Sequence, residues 1–298
     1  MDLGALFELE PHGPDTYIGT GPLYPWGGLY GGQIVAQALR AASATVEADL
    51  LVHSLRAYFI RRGDTTEPVR YEVDRIRNGR SFSTRRVVAR QAIGAILNLE
   101  ASFQRPEPAG DGIQTVSMDQ SINVPESLES VSWSTSFDRR IVPPTQLSAP
   151  AIGAGRVAAW MRVTDPIGDD ELVHRCWLAY LSDDLPTDSV RSALGAEPDD
   201  GFTASLDHTV WFHRPMRMDA WHLHDVSCHG YVGGRGLAIG HVFALDGTHV
   251  ATLSQVFSLA NVARLPPTRF SRAADRPARI RRSAPTHRRQ MHSTPWSR

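Results

Sequence analysis

The sequence predicts an α+β protein made of two copies of one unit, a long helix rich in small residues followed by about four antiparallel strands. Three observations predict it. Two helical stretches carry the same buried pattern. Each precedes a block of strand-like sequence. The two blocks have nearly equal length, 45 positions from Phe59 to Gln104 and 43 from Phe212 to Gln255.

In GGQIVAQALRAA, residues Ile34, Val35, Ala38, Leu39 and Ala42 recur at offsets that share one helical face. In DDELVHRCWLAYLSDD, residues Leu172, Val173, Cys176, Trp177, Tyr180 and Leu181 repeat those offsets. Asp169 or Asp170 can cap the second helix through its carboxylate. Gly31 and Gly32 stand before the first, where a missing side chain lets another group approach the helix start.

After the first helix come LVHSLRAYFIRRGD, PVRYEVDRIRNG, RSFSTRRVVARQ and AILNLEASFQ. After the second come SLDHTVWFHRP, AWHLHDVSCHG, RGLAIGHVFALDG and HVATLSQVFSLA. Asn78-Gly79 and Asp246-Gly247 are hairpin dipeptides, and GGRG reads as a turn or bulge. A leading strand is expected in each half, within FELEPHGPDTYIG in the first and FDRRIVP or AAWMRV in the second.

A long helix buried against a curled antiparallel sheet is the hotdog arrangement. Two in one chain make a double hotdog, two sheets each wrapped around a central helix and joined edge to edge into one continuous sheet, so that neither joining edge stays bare. The expected boundaries are an N-terminal hotdog over 1–104, a polar linker over 105–132, a C-terminal hotdog over 133–262 and a tail over 263–298.

The 298 residues suffice to bury a core without disulfides. Two cysteines exclude a disulfide scaffold and a cysteine-rich zinc fold, and Cys176 falls on the buried helix face. No apolar run reaches the ~18 residues of a membrane helix. The N-terminus shows neither a basic start nor an apolar stretch, so a soluble, cytoplasmic protein without a signal peptide is expected. All 31 basic residues are arginine. Ten lie between Arg264 and Arg298 beside one acid, giving the tail +9 against a whole-chain charge of −1. With five prolines and few apolar residues, that tail is expected to be disordered. The acidic remainder argues against a nucleic-acid partner.

Several chemistries lack their motifs. There is no G-x-S-x-G elbow, no H-E-x-x-H and no C-x-x-C. His222 and His224 in WHLHDVSCH would face one side of a strand and His229 the other, so no metal site is expected there. The Gly-rich GGLYGG lacks phosphate-loop spacing.

LYGGQIVAQAL, VHSLRAYFIRRGD, RNGRSFSTRRV, EASFQRPE, YLSDDL and SLDHTVWFHRP resemble the acyl-CoA thioesterase II family, in order from about Gly28 to about Ala260. The resemblance implies a double hotdog that hydrolyses fatty acyl-CoA to fatty acid and CoA. It also implies a homo-oligomer and no cofactor, the CoA thioester being substrate. It places the catalytic trio in the second hotdog, as Asp183 in YLSDDL, Ser205 in ASLDH and Gln255 in LSQVF. Asp184 is a neighbouring acid, but the pattern favours Asp183. Alone, such an Asp reads as a solvated helix end and such a Gln as an exposed strand residue; three on the family's three positions reverse that. His53 matches a motif position outside the trio and is expected in the core.

Such a trio can hydrolyse an activated thioester with positioned water. Asp183 would accept the water's proton, aided by a helix C-terminus whose dipole raises a carboxylate pKa. Ser205 and Gln255 would hold the water, and the Gly31-Gly32 amides would meet the oxyanion. Two other readings compete. A hotdog enoyl-CoA hydratase would need a His five residues beyond its Asp, and position 188 is Asp. A non-catalytic acyl-CoA binder or sensor would not turn over.

Overall fold

The computed structural model describes residues 3–107, 112–148, 155–195 and 202–260. Expectations for the arginine-rich tail lie outside these residues. In chain order the elements are β1 (Glu10–Pro11), β2 (Thr16–Gly19), α1 (Gly31–Ser43), β3 (Leu51–Phe59), β4 (Val69–Asn78), β5 (Phe82–Gln91) and β6 (Gly94–Gln104), then β7 (Phe137–Ile141), β8 (Arg156–Val163), α2 (Glu171–Leu181), α3 (Pro186–Leu194), β9 (Phe202–Phe212), β10 (His222–Val232), β11 (Arg235–Ala244) and β12 (His249–Ala260). Among the described residues no helix is long and apolar enough to cross a membrane.

All twelve strands form one antiparallel sheet in the order β1-β2-β4-β5-β6-β3-β9-β12-β11-β10-β8-β7. The second half of that order repeats the first in reverse, so the fold is a double hotdog whose halves join where β3 pairs β9, Ser54 opposite Trp211 and Tyr58 opposite Asp207. Both candidate leading strands of the second half form, as β7 and β8.

The five predicted apolar positions of α1 are all buried, but so is the rest of its middle, including Gln33 and Gln37. Gln37 is satisfied internally: its amide donates to the carbonyls of Leu6 and Thr20 at 2.7 and 2.8 Å and accepts from Tyr71 Oη at 2.7 Å. The helix begins at Gly31, so the glycine pair forms its first turn. Asp170 caps α2, its carboxylate accepting from the Leu172 N–H at 2.9 Å. Cys176 is fully buried, and burial pushes its thiol up to about 12, consistent with a core residue.

Part of the stretch before β7, from Val116 to Leu128, lies across the face of the second half's sheet that is turned away from the helices. Val116, Met118, Ile122 and Leu128 pack on a cluster formed by Trp160, Trp221, Leu223 and Phe243. Trp160 Nε1 donates to the Asn123 carbonyl at 3.0 Å. A segment whose composition reads as a plain linker thus covers apolar sheet.

Register shows how the halves correspond. Each has a bulge on its joining strand, at His53 in β3 and at Leu206 in β9. Val52 pairs Phe103, and Ser205 pairs Phe257. Ser205 therefore corresponds to Val52, and Gln255, two residues before Phe257, to Ala101 rather than to Gln104. Thr45 and Asp183 each follow a helix C-cap, Ala44 and Ser182. So the first half carries Thr45, Val52 and Ala101 where the second carries Asp183, Ser205 and Gln255.

Space in the first half is filled by Arg85, which lies opposite Ala101 and is 2% exposed. Its Nε donates to Thr45 Oγ1 at 2.7 Å, and its other nitrogens donate to Thr45 O, Asn78 Oδ1 and two further carbonyls. In the second half the same ladder position is Ala238, opposite Gln255. A large residue faces a small one in each half, with the order exchanged. Arg85→Met is expected to leave several of these buried acceptors unpaired, at a cost of about 2–4 kcal/mol. Urea denaturation checks the loss, and turnover of the folded variant should remain within about twofold of wild type.

Candidate active site

Asp183 directly follows the C-cap of α2, where α2 meets the N-terminus of α1. The contact is close enough to require both glycines. A Cβ on Gly31 would stand 2.6 Å from Asp183 Oδ2, and one on Gly32 would stand 2.2 Å from the Tyr180 carbonyl oxygen. Tyr30, the N-cap of α1, donates from its hydroxyl to that carbonyl at 3.0 Å. Tyr30 and Tyr180 meet edge to face with centroids 4.9 Å apart, within a group that includes Trp26 and Trp133.

Ser205 reaches the same place from β9. In an uninterrupted strand, residues three apart point to opposite faces. The bulge at Leu206 removes one step, so Ser205 and His208 both face the helices. Gln255 on β12 lies directly opposite His208, and its Nε2 donates to Ser205 Oγ at 2.8 Å.

These groups border a cavity of about 730 Å³, lined by Asp183, Ser205, Gly31, Ile34 and Phe59 among others, with Trp26 and Trp133 contributing apolar wall. Gln255 is 1% exposed and stands behind Ser205 rather than on the wall. Arg61, Arg62 and Arg191 also line the cavity and form no ion pair among the described residues.

Burial pushes the Asp183 carboxyl up to about 7, as does the nearby Asp184 charge, while the Gln255 amide and the Gly32 N–H offset part of the rise. The direction agrees with the sequence expectation; the dominant cause is removal from water rather than the helix dipole. Asp183 Oδ1 is buried with no hydrogen-bond partner among the described residues. Asp184 is fully engaged by contrast: Arg139 donates to it at 2.7 Å and Trp133 Nε1 at 3.2 Å. That distinction separates the two adjacent acids.

Two sequence expectations change. The Gly32 amide, expected to meet an oxyanion, faces the Asp183 carboxylate. Loss of turnover in a Gly32→Ala variant would also follow from the clash with Tyr180, so that substitution carries no mechanistic information. His53, expected in the core, is only half-buried; it sits at the β3 bulge with Nε2 2.9 Å from Ser102 Oγ, away from the cavity wall. In β10, His222 and His224 are buried and His229 is exposed beside a bulge.

One contributor escaped sequence reading altogether. Helix α3 lines the cavity with Thr187, Asp188 and Arg191. Its signals were present: Pro186 in the first turn, Val190 and Leu194 one turn apart, and Gly195 at φ 63° closing the C-terminus.

The chain matches two family descriptions, "Acyl-CoA thioesterase N-terminal domain" over residues 21–104 and "Acyl-CoA thioesterase C-terminal domain" over residues 109–259. It is 34% identical to acyl-coenzyme A thioesterase 8 of Mus musculus over 280 residues, covering 84% of this chain and 86% of that protein. It is also 34% identical to acyl-CoA thioesterase 2 of Haemophilus influenzae over 252 residues, covering 76% and 86%. The crystal structure of an acyl-CoA thioesterase II from Mycobacterium marinum superposes with a TM-score of 0.78 at 35% identity, over 90% of this chain and all of the other. With the fold, both halves and the length of the match in agreement, the chain belongs to the acyl-CoA thioesterase II family of double-hotdog thioester hydrolases.

Proposed function

We propose that the protein hydrolyses fatty acyl-CoA by water that Asp183 activates, with Ser205 and Gln255 completing the site. The supporting observation is a buried carboxylate, raised to about 7, whose unpartnered Oδ1 shares a cavity with Ser205. Such a group is a far stronger base than an ordinary aspartate, whose pKa is near 3.9, and is ionised near neutral pH.

Water attacks the thioester carbonyl carbon while Asp183 takes one of its protons. The carbon–sulfur bond of the tetrahedral intermediate then breaks, and the proton on Asp183 passes to the departing thiolate. Fatty acid and CoA result, with no covalent enzyme intermediate and no other reactant. Ser205 Oγ lies on the wall and orients the water. Gln255, behind it, orients Ser205 and the carboxylate. General-base assistance of this kind contributes about 10²–10⁴-fold.

The cavity also suits the rest of the substrate. Its aromatic and aliphatic wall fits an acyl chain, and Arg61, Arg62 and Arg191 supply cationic groups for the phosphates of CoA.

Release of free CoA thiol from short- to long-chain acyl-CoAs, with wild type and Asp183→Asn in parallel, tests the reading. Turnover is expected in wild type and a loss of at least about 100-fold in the variant. A fully active variant would refute the role of Asp183, and an inactive wild type would favour the binder. For wild type, kcat/KM should rise with pH through a midpoint near 7. The same shift has a stability cost. The folded value lies above the ordinary 3.8, so ionising Asp183 lowers stability as pH climbs from about 4 to about 7. Asp183→Asn should therefore melt above wild type at pH 8, with the difference shrinking towards pH 5. Replacing Arg61 and Arg62 together by Ala should raise KM for acyl-CoA about tenfold at low salt. KM for the corresponding acyl-pantetheine, which lacks the nucleotide phosphates, should stay unchanged.

A further inference from the structure

The polar chain at the site continues behind Gln255. His208 is fully buried, with Nδ1 2.8 Å from Gln255 Oε1 and Nε2 2.8 Å from Ser182 Oγ. Burial pushes its imidazole down to about 4, so it is neutral and carries a single N–H. The Gln255 carbonyl oxygen can only accept. The proton must then sit on Nδ1, and Nε2 must accept from the Ser182 hydroxyl. The Ser182 hydroxyl could instead donate its one proton to the Ala179 carbonyl at 3.1 Å, but the shorter contact is to Nε2.

A second arrangement satisfies the same atoms in reverse. With the Gln255 amide turned end for end, its NH2 would donate to Nδ1 and Ser182 would receive a proton from Nε2. The Gln255 oxygen would then face Ser205 and Asp183, setting lone pairs against a carboxylate. An ionised Asp183 selects the first arrangement.

We infer that His208 and Ser182 are positioning residues that fix the direction of the Gln255 amide, and through it the role of Ser205. The inference rests on the site proposed above. With the amide NH2 forward, Ser205 Oγ accepts from Gln255. Its own O–H is then left for the cavity, where it donates to the water or the thioester carbonyl. With the amide reversed, the Ser205 proton would be engaged by Gln255 and the residue could only accept. The corresponding residue in the first half, Leu55, is buried and apolar, so the fold admits a side chain without nitrogen at this place.

Nitrogen-15 NMR of histidine-labelled wild-type protein, with the His208 signals identified by their loss in His208→Leu, reads the tautomer directly. A protonated Nδ1 and a bare Nε2 are expected; a protonated Nε2 overturns the inference. In kinetics, His208→Leu should lose about 10–100-fold in kcat with KM within about twofold of wild type. His208→Asn, whose amide N–H can stand where Nδ1–H stood, should recover much of that loss. Wild-type kcat in His208→Leu, or no recovery in His208→Asn, overturns it. If His208→Leu does not fold, Ser182→Ala replaces it: a fall in kcat at constant KM supports the inference, and an unchanged kcat refutes it. The outcomes separate from those of the site itself. An active Asp183→Asn removes the proposed base, while the tautomer and the His208→Leu kinetics are read on protein that keeps Asp183. An inactive Asp183→Asn beside a fully active His208→Leu removes only the positioning role.

Discussion

The pairing of β3 with β9 governs the molecule. It closes the exposed edge of each half, and it sets the two helices against each other so that the first turn of α1 meets the last turn of α2. A carboxylate placed just beyond one helix then lies against the start of the other, out of water. Its elevated pKa, the absence of side chains at Gly31 and Gly32, and the aromatic packing of Tyr30 on Tyr180 all follow from that encounter. A base built this way owes its strength to burial, a property of the whole assembly.

Much of this was legible in the residues. The offsets of Ile34 to Ala42 and of Leu172 to Leu181 gave both helices, because a helix packed on a sheet must repeat its apolar positions. Glycine-bearing turns gave the hairpins. Gly31 and Gly32 signalled a close approach, although not which group approaches. The trio came from resemblance, and the geometry brings its members together around one cavity, with Gln255 set back from the wall.

The remainder depends on register, which alternation alone does not fix. No local pattern announces that Leu206 is skipped, yet that bulge turns Ser205 and His208 to the same face. Nearly equal spacing suggested that Gln104 answers Gln255, whereas a matching pair of bulges assigns that place to Ala101. The expected cause of the Asp183 shift failed for a related reason: a helix end is visible in sequence, but the depth at which it is buried is set by residues from the other half.

The exchange of Arg85 and Ala101 for Ala238 and Gln255 has a consequence for how such a protein can change. In an assembly of two identical chains, every substitution appears on both sides of the axis, and a residue that plugs one pocket plugs its twin. Covalent duplication lifts that constraint. One copy can fill its pocket with a buried guanidinium while its sibling keeps a glutamine and a carboxylate at the matching positions, and both still contribute wall to one chamber. The halves here share a backbone plan and have parted in chemistry, and the near-symmetry of the sheet is the record of where they began.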